Sequence, residues 1–225
     1  MKQLKTRDLL PGDLMLKASD GSILSKAISL GQNVRGQLNP QIVHAGVMFD
    51  NTYIIEAQGS GVAANDLRVQ NKKYGYLVHR PVRSNFGQGA GTCAKIMFDI
   101  QTRNKNLKYN LLGAIGSLFG GPGKATTPAD MDNLLDRILA GKGHPFFCSQ
   151  FVVYVYQFVA EQNGVHASQL FNLNDAKVSP SVLASKLQGS SYFTEAGYMM
   201  PNERWPVLRR SRCVVVHAPS SVPQL

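Results

Sequence analysis

Two apolar runs, Ile42-Val43-His44-Ala45-Gly46-Val47-Met48-Phe49 and Thr52-Tyr53-Ile54-Ile55-Glu56-Ala57-Gln58, are rich in strand-favouring residues and flank Asp50-Asn51, which is hairpin turn chemistry. They form the clearest hairpin in the chain. The register matters for its polar groups: a two-residue loop sets His44 opposite Ala57, whereas a three-residue loop or a bulge sets it opposite Gln58 and diagonal to Glu56. Upstream, Pro11-Gly12-Asp13 is a turn before a short strand at Leu14-Met15-Leu16-Lys17, and Ser19-Asp20-Gly21 is a second turn. The pattern then predicts a short helix over Ser22–Leu30 stopped by Gly31, and a surface loop over Gln32–Pro40.

After a break at Gly59-Ser60-Gly61, Tyr74–Arg80 reads as a strand ended by Pro81. From Thr92 to Asn104 the spacing turns helical, with Ala94, Met97, Phe98 and Gln101 on one stripe. Tyr109–Leu118 is apolar, and Gly120-Gly121-Pro122-Gly123 forces a loop. Thr127-Pro128-Ala129-Asp130 opens a helix that ends at Gly141, and Ser179-Pro180 repeats that start signal before Val182–Leu187. Phe151–Ala160 has strand-like valines and tyrosines. Yet Cys148, Phe151/Val152, Val155 and Phe158/Val159 share one helical stripe, and Asn163-Gly164 supplies a stop, so its length decides for a helix.

Composition bounds the class. With 225 residues, 44% hydrophobic and 17% charged, the chain can build a substantial core, read as a single domain over 1–218 with a disordered tail over 219–225. Lys plus Arg number 24 against 14 Asp plus Glu, a net charge of +10, which favours anionic partners. The basic residues are scattered and no nucleic-acid module accompanies them, so nucleic acid is not an expected partner. The N-terminus has positive charge but no apolar run behind it, and no later stretch is long enough to span a bilayer. The expectation is a soluble product without a signal peptide, either cytoplasmic or exported by a specialised secretion machine.

Three cysteines, Cys93, Cys148 and Cys213, are too few and too widely spaced for a disulfide framework or a metal knuckle, and no metal or other cofactor is expected. Cys148 stands out because it heads the helical segment. A thiol in the first turn of a helix meets unpaired N–H groups and the positive end of the macrodipole, conditions that suit a nucleophile, whereas most free cysteines are small buried hydrophobes. The N–H groups of Ser149 and Gln150 would be free to hold an oxyanion. His44 is the best candidate general base, against its reading as a satisfied core histidine, and Glu56 or Gln58 would orient its ring. His144 lies four residues before Cys148 but across Pro145, which makes it a loop histidine; His79, His166 and His217 have no partner pattern.

Leu-Leu-Pro-Gly-Asp-Leu-Met-Leu at 9–16, Val-His-Ala-Gly-Val-Met at 43–48, Ile-Ile-Glu-Ala at 54–57, Tyr109-Asn110-Leu111-Leu112-Gly113 and Phe147-Cys148-Ser149-Gln150-Phe151-Val152 resemble the circularly permuted NlpC-type branch of papain-like cysteine enzymes. That branch includes YiiX/YaeF-like proteins and lecithin:retinol acyltransferase-like enzymes, and the similarity spans roughly residues 9–190. The resemblance implies an α+β, papain-like fold: an antiparallel sheet or half-barrel with the nucleophile helix packed against it. It implies Cys148 as nucleophile, His44 as base and Glu56 as the third polar residue. The chain departs from the pattern at Gln150, where a Glu is common, at Asn110, where an Asp often stands, and in the inserted glycine-rich loop and helix.

The activity expected is a cysteine peptidase or amidase cleaving an amide through an acyl-enzyme. The leading substrate is the stem peptide of peptidoglycan, an anionic wall that suits the basic chain, and the setting is a bacterial effector with an immunity or chaperone protein as partner. A lipid-directed acyltransferase or acyl hydrolase, motivated by the apolar segment Leu111–Phe119, is the rival and would bring membrane contact. A non-catalytic binding module on the same fold is the third reading.

Overall fold

The structure is a computed structural model and describes residues 1–19, 41–58, 61–103, 148–171 and 178–200. The expected helices over 22–30 and 127–141, the loops over 32–40 and 120–123, the apolar stretch 109–118, the tail 219–225 and the residues Asn110, His144, Cys213 and His217 lie outside them.

In chain order the elements are a 3₁₀ turn at Thr6–Asp8, β1 (Leu14–Ala18), β2 (Ile42–Met48), β3 (Tyr53–Gln58), β4 (Gly61–Asp66), β5 (Tyr76–Pro81), α1 (Ser84–Arg103), α2 (Cys148–Gln162), α3 (Ala167–Leu170), α4 (Pro180–Leu187) and β6 (Phe193–Met199). The protein is α+β: the six strands form one sheet in the order β4-β3-β2-β1-β5-β6, with every neighbouring pair antiparallel. Strand β1 lies near the middle and is covered on both faces. Leu14 and Leu16 join the core shared with α1, α2 and α4, while Met15 joins a second cluster with Leu4, Leu9, Met48, Ile54 and Val78. The period of two along a strand produces this division.

The segment 151–160 is helical. Phe151, Val152, Val153, Val155 and Val159 are fully buried in α2, so a helix that is apolar nearly all round fills the space between sheet and α1, which offsets the weak helix propensity of its valines. Gly164 ends it at φ +70°. Ser179 caps α4 by accepting from Val182 N at 3.2 Å, with Pro180 as the first helical residue.

Helix α1 corrects the expectation of a start at Thr92: it begins at Ser84 and takes in Gly87, Gly89 and Gly91. Two of these glycines are there for close approach. A methyl group on Gly91 would stand 2.9 Å from Met48 O, and one on Gly87 would stand 2.9 Å from Pro11 O. The Pro11-Gly12 turn thus rests directly on the helix backbone. Asp13 N donates to Leu10 O at 3.0 Å, Gly12 holds φ +75°, and the Tyr156 hydroxyl of α2 donates to Gly12 O. Asp13 itself is buried and receives Arg80 in a two-pronged pair, Nε to Oδ1 and Nη2 to Oδ2, both at 2.7 Å. Strands β4 and β6 were not foreseen. Each carries glycine, alanine or acidic residues in place of a clean alternation, and pairing with β3 and β5 holds them in place.

Two stability measurements check this account. Gly12→Ala is expected to cost about 3 kcal/mol in urea denaturation, because a Cβ would sit 2.0 Å from Gly87 O; Gly164→Ala, at a similar φ but with nothing within 4 Å, should cost only the left-handed strain of about 1 kcal/mol. Equal losses at the two sites would contradict the close-approach explanation. His79 is buried with no hydrogen-bond partner for either ring nitrogen, and burial lowers its pKa from 6.5 to about 4. The unfolded chain therefore binds the proton first as pH falls, and stability should decline by roughly 3 kcal/mol between pH 6.5 and pH 4. His79→Leu, of similar volume, is expected to flatten that slope and to raise the melting temperature at pH 5; an unchanged slope would assign acid sensitivity to other groups.

Candidate active site

The hairpin fixes the first contact. The ladder pairs Val47 with Ile55 and Met48 with Ile54, and Phe49 N donates to Tyr53 O at 2.9 Å, so Asp50-Asn51-Thr52 is a three-residue loop. Asp50 Oδ1 shapes it by accepting from Thr52 N at 2.7 Å and Tyr53 N at 2.8 Å. Continued along the two strands, this register is the one that sets His44 diagonal to Glu56. On its other side β2 pairs Lys17 with His44 but Ala18 with Ile42, which leaves Val43 as an extra residue. Such a bulge kinks the strand and re-aims the side chain that follows it, here the imidazole.

His44 Nε2 lies 2.7 Å from Glu56 Oε2. Glu56 is only 2% exposed, and its second oxygen, Oε1, accepts from Asn65 Nδ2 at 2.9 Å and from Asn71 Nδ2 at 2.6 Å. Gln58, the alternative orienting residue, is exposed at the end of β3. With Nε2 occupied by Glu56, Nδ1 is the ring atom left to serve the cysteine. Cys148 is a hydrogen-bond partner of that imidazole. It is the first described residue of α2, buried with 8% of its surface exposed. The next residue, Ser149, ties this end of α2 to the segment before α4 by donating its hydroxyl to Val178 O at 2.6 Å.

The electrostatics follow from these contacts. Burial by itself would lower the His44 pKa; the charge and hydrogen bond of Cys148, followed by those of Glu56, outweigh it and raise it from 6.5 to about 10. Burial pushes the Glu56 carboxyl upward, but the hydrogen bond and charge of His44, with the amides of Asn71 and Asn65, carry it below its ordinary value. Near neutral pH the site is thus an imidazolium between a carboxylate and a sulfur. Cys93 is a contrast: it is fully buried in the core, and burial pushes its thiol up to about 12. Such a thiol is inert.

The structure therefore brings Cys148, His44 and Glu56 together from three elements, and places His79 in the apolar core and His166 on the surface. Asn65 and Asn71 belong to the same cluster and were missed in the sequence, since an asparagine on an edge strand or in a loop usually signals only a turn. Among the described residues no group of three or more His, Cys, Asp or Glu side chains could hold a metal ion, and no helix is long and apolar enough to cross a membrane. Comparisons with protein-family models, curated proteins and solved structures returned no match.

A direct check is the titration of the His44 ring by NMR. The ring should remain an imidazolium through neutral pH and lose its proton as pH rises through about 10. Glu56→Gln keeps a hydrogen-bond acceptor but deletes the charge that favours the protonated ring, so the midpoint should fall by about one unit. A midpoint below the ordinary histidine value in the unaltered protein, as burial alone would produce, would show that neither Cys148 nor Glu56 acts on the ring.

Proposed function

We propose that this protein is a cysteine hydrolase of the permuted papain-like kind that cleaves an amide bond, with peptidoglycan stem peptides as its substrate class. The observation that carries the reading is the 2.7 Å contact of His44 with the buried carboxylate of Glu56, together with Cys148 as a second hydrogen-bond partner of the same imidazole.

In this reading the Cys148 thiolate attacks the carbonyl carbon of the scissile amide and forms an S–C bond. The electron pair of the C=O moves to oxygen, where N–H groups of the first turn of α2 and the positive end of its dipole stabilise the oxyanion. His44 Nδ1–H passes its proton to the nitrogen of the leaving amine as the C–N bond breaks. The ring, now neutral, deprotonates a water molecule that attacks the thioester; the acid product departs and the imidazolium–thiolate pair is restored. Glu56 keeps the ring oriented and its positive charge compensated throughout, the third role of a catalytic triad. The net charge of +10 suits an anionic wall polymer. An exported effector with an immunity or chaperone partner fits the same substrate class.

The lipid-directed alternative drew on Leu111–Phe119, which lies outside the described residues, and it forms the second arm of the test. The protein and its Cys148→Ala variant are incubated with purified wall fragments and, separately, with phospholipid vesicles, and the products are weighed by mass spectrometry. The expected outcome is hydrolysed stem peptide, each cut adding one water, with a loss on the order of 10⁴-fold or more in the variant. Fatty-acid release from the vesicles with intact wall peptides would replace amide by ester chemistry. No product in either arm would leave a binding module.

A further inference from the structure

The two oxygens of Glu56 are used unequally. Oε2 faces His44, whereas Oε1 takes two amide donors, Asn65 Nδ2 at 2.9 Å and Asn71 Nδ2 at 2.6 Å. Both donors are delivered by the chain that follows β3. Asn65 lies on β4 opposite Ile54, while Glu56 is opposite Ala63, so Asn65 and Glu56 are diagonal neighbours on one face of the pair. Asn71 comes from the connection between β4 and β5. It is itself buried, and its backbone is pinned at both ends: Asn71 N donates to Asp66 O at 3.1 Å, and Asn71 O accepts from Tyr74 N at 3.0 Å. Asp66 in turn binds the same connection, accepting from Arg68 N at 2.7 Å and donating its own N–H to Gln70 Oε1 at 2.8 Å.

An amide NH₂ group is a donor only, so two of them converging on one oxygen match a carboxylate and leave no room for a proton on that oxygen. They also fix the rotation of the carboxyl group, and with it the direction of Oε2. We propose that Asn65 and Asn71 are positioning residues for the hydrolase: by occupying Oε1 they hold Glu56 as a deprotonated acceptor aimed at His44 Nε2, and so sustain the imidazolium that pairs with Cys148. The proposal rests on the reading of Cys148 as nucleophile. It assigns a catalytic consequence to Asn65 on β4 and to Asn71 in the connecting segment, 67–75.

The test uses the full chain and needs no substrate. The rate of Cys148 alkylation by iodoacetamide at pH 7, followed at the peptide level by mass spectrometry, reads the thiolate that the imidazolium supports. Repeated across pH, the profile is expected to show its acid limb moved up by about one unit in Asn71→Ala, so that the reaction on that limb slows about tenfold, and moved less in Asn65→Ala; in both the NMR midpoint of His44 should fall. Asn71→Asp, of the same shape, replaces a donor by a like charge and should slow the reaction more than Asn71→Ala. Added to Glu56→Ala, Asn71→Ala should produce no further change, because there is no carboxylate left to hold. Unaltered rates and midpoints in both single variants would overturn the proposal, as would an equal loss in the Glu56→Ala background, which marks mere packing. Asn65 is half-buried, so Asn65→Ala decides the matter if Asn71→Ala does not fold. If Cys148 of the unaltered protein reacts no faster than a small free thiol, the hydrolase reading itself falls, and this proposal with it.

Discussion

A carboxylate with 2% of its surface exposed must be paired and hydrogen-bonded or give up its charge. Glu56 is paired, and its surroundings are arranged around that requirement. The β2–β3 register brings His44 to one oxygen, and β4 with the connection to β5 brings two amides to the other. Removing one partner from such a cluster leaves an uncompensated buried group, which costs more than the contact is worth in itself. The polar cluster and the sheet therefore hold each other in place: a one-residue slip of β3 would turn Glu56 to the other face and leave His44 without its counter-charge.

The second constraint is backbone contact at Gly12. The turn that starts β1 touches α1 through Gly87 and Gly91, the end of β2 through Gly12 N to Met48 O at 2.8 Å, and α2 through the Tyr156 hydroxyl. These contacts tie the helix that carries Cys148 to the strand that carries His44, with no side chain at Gly12 to intervene. The Asp13–Arg80 pair, next along the chain, clamps β1 to β5. A site assembled from three elements needs such a scaffold, because small misplacements of reacting groups weaken catalysis far more than they weaken stability.

Much of this was legible before any coordinates. The hairpin, the helix after Cys148 and the capped start at Ser179 follow from local chemistry: paired β-branched runs about a turn, an apolar segment of helical length, and a serine before a proline. Local chemistry also misled. Three glycines masked the first two turns of α1, since glycine's cost in a helix is visible in the sequence, whereas the backbone approach that makes glycine necessary is not. Strands β4 and β6 have little propensity of their own and exist through their neighbours.

By itself the sequence determined which groups were available for chemistry, namely a cysteine at a helix start, a histidine and a glutamate on the two arms of one hairpin, because residue type and helix or strand period are local properties. It left open whether Glu56 or Gln58 would meet the histidine, and it was silent on Asn65 and Asn71. Those choices depended on a three-residue loop, a bulge at Val43 and a folded-back connection. Only the tertiary structure could decide them, because the energy of burying a charge depends on which distant groups arrive beside it.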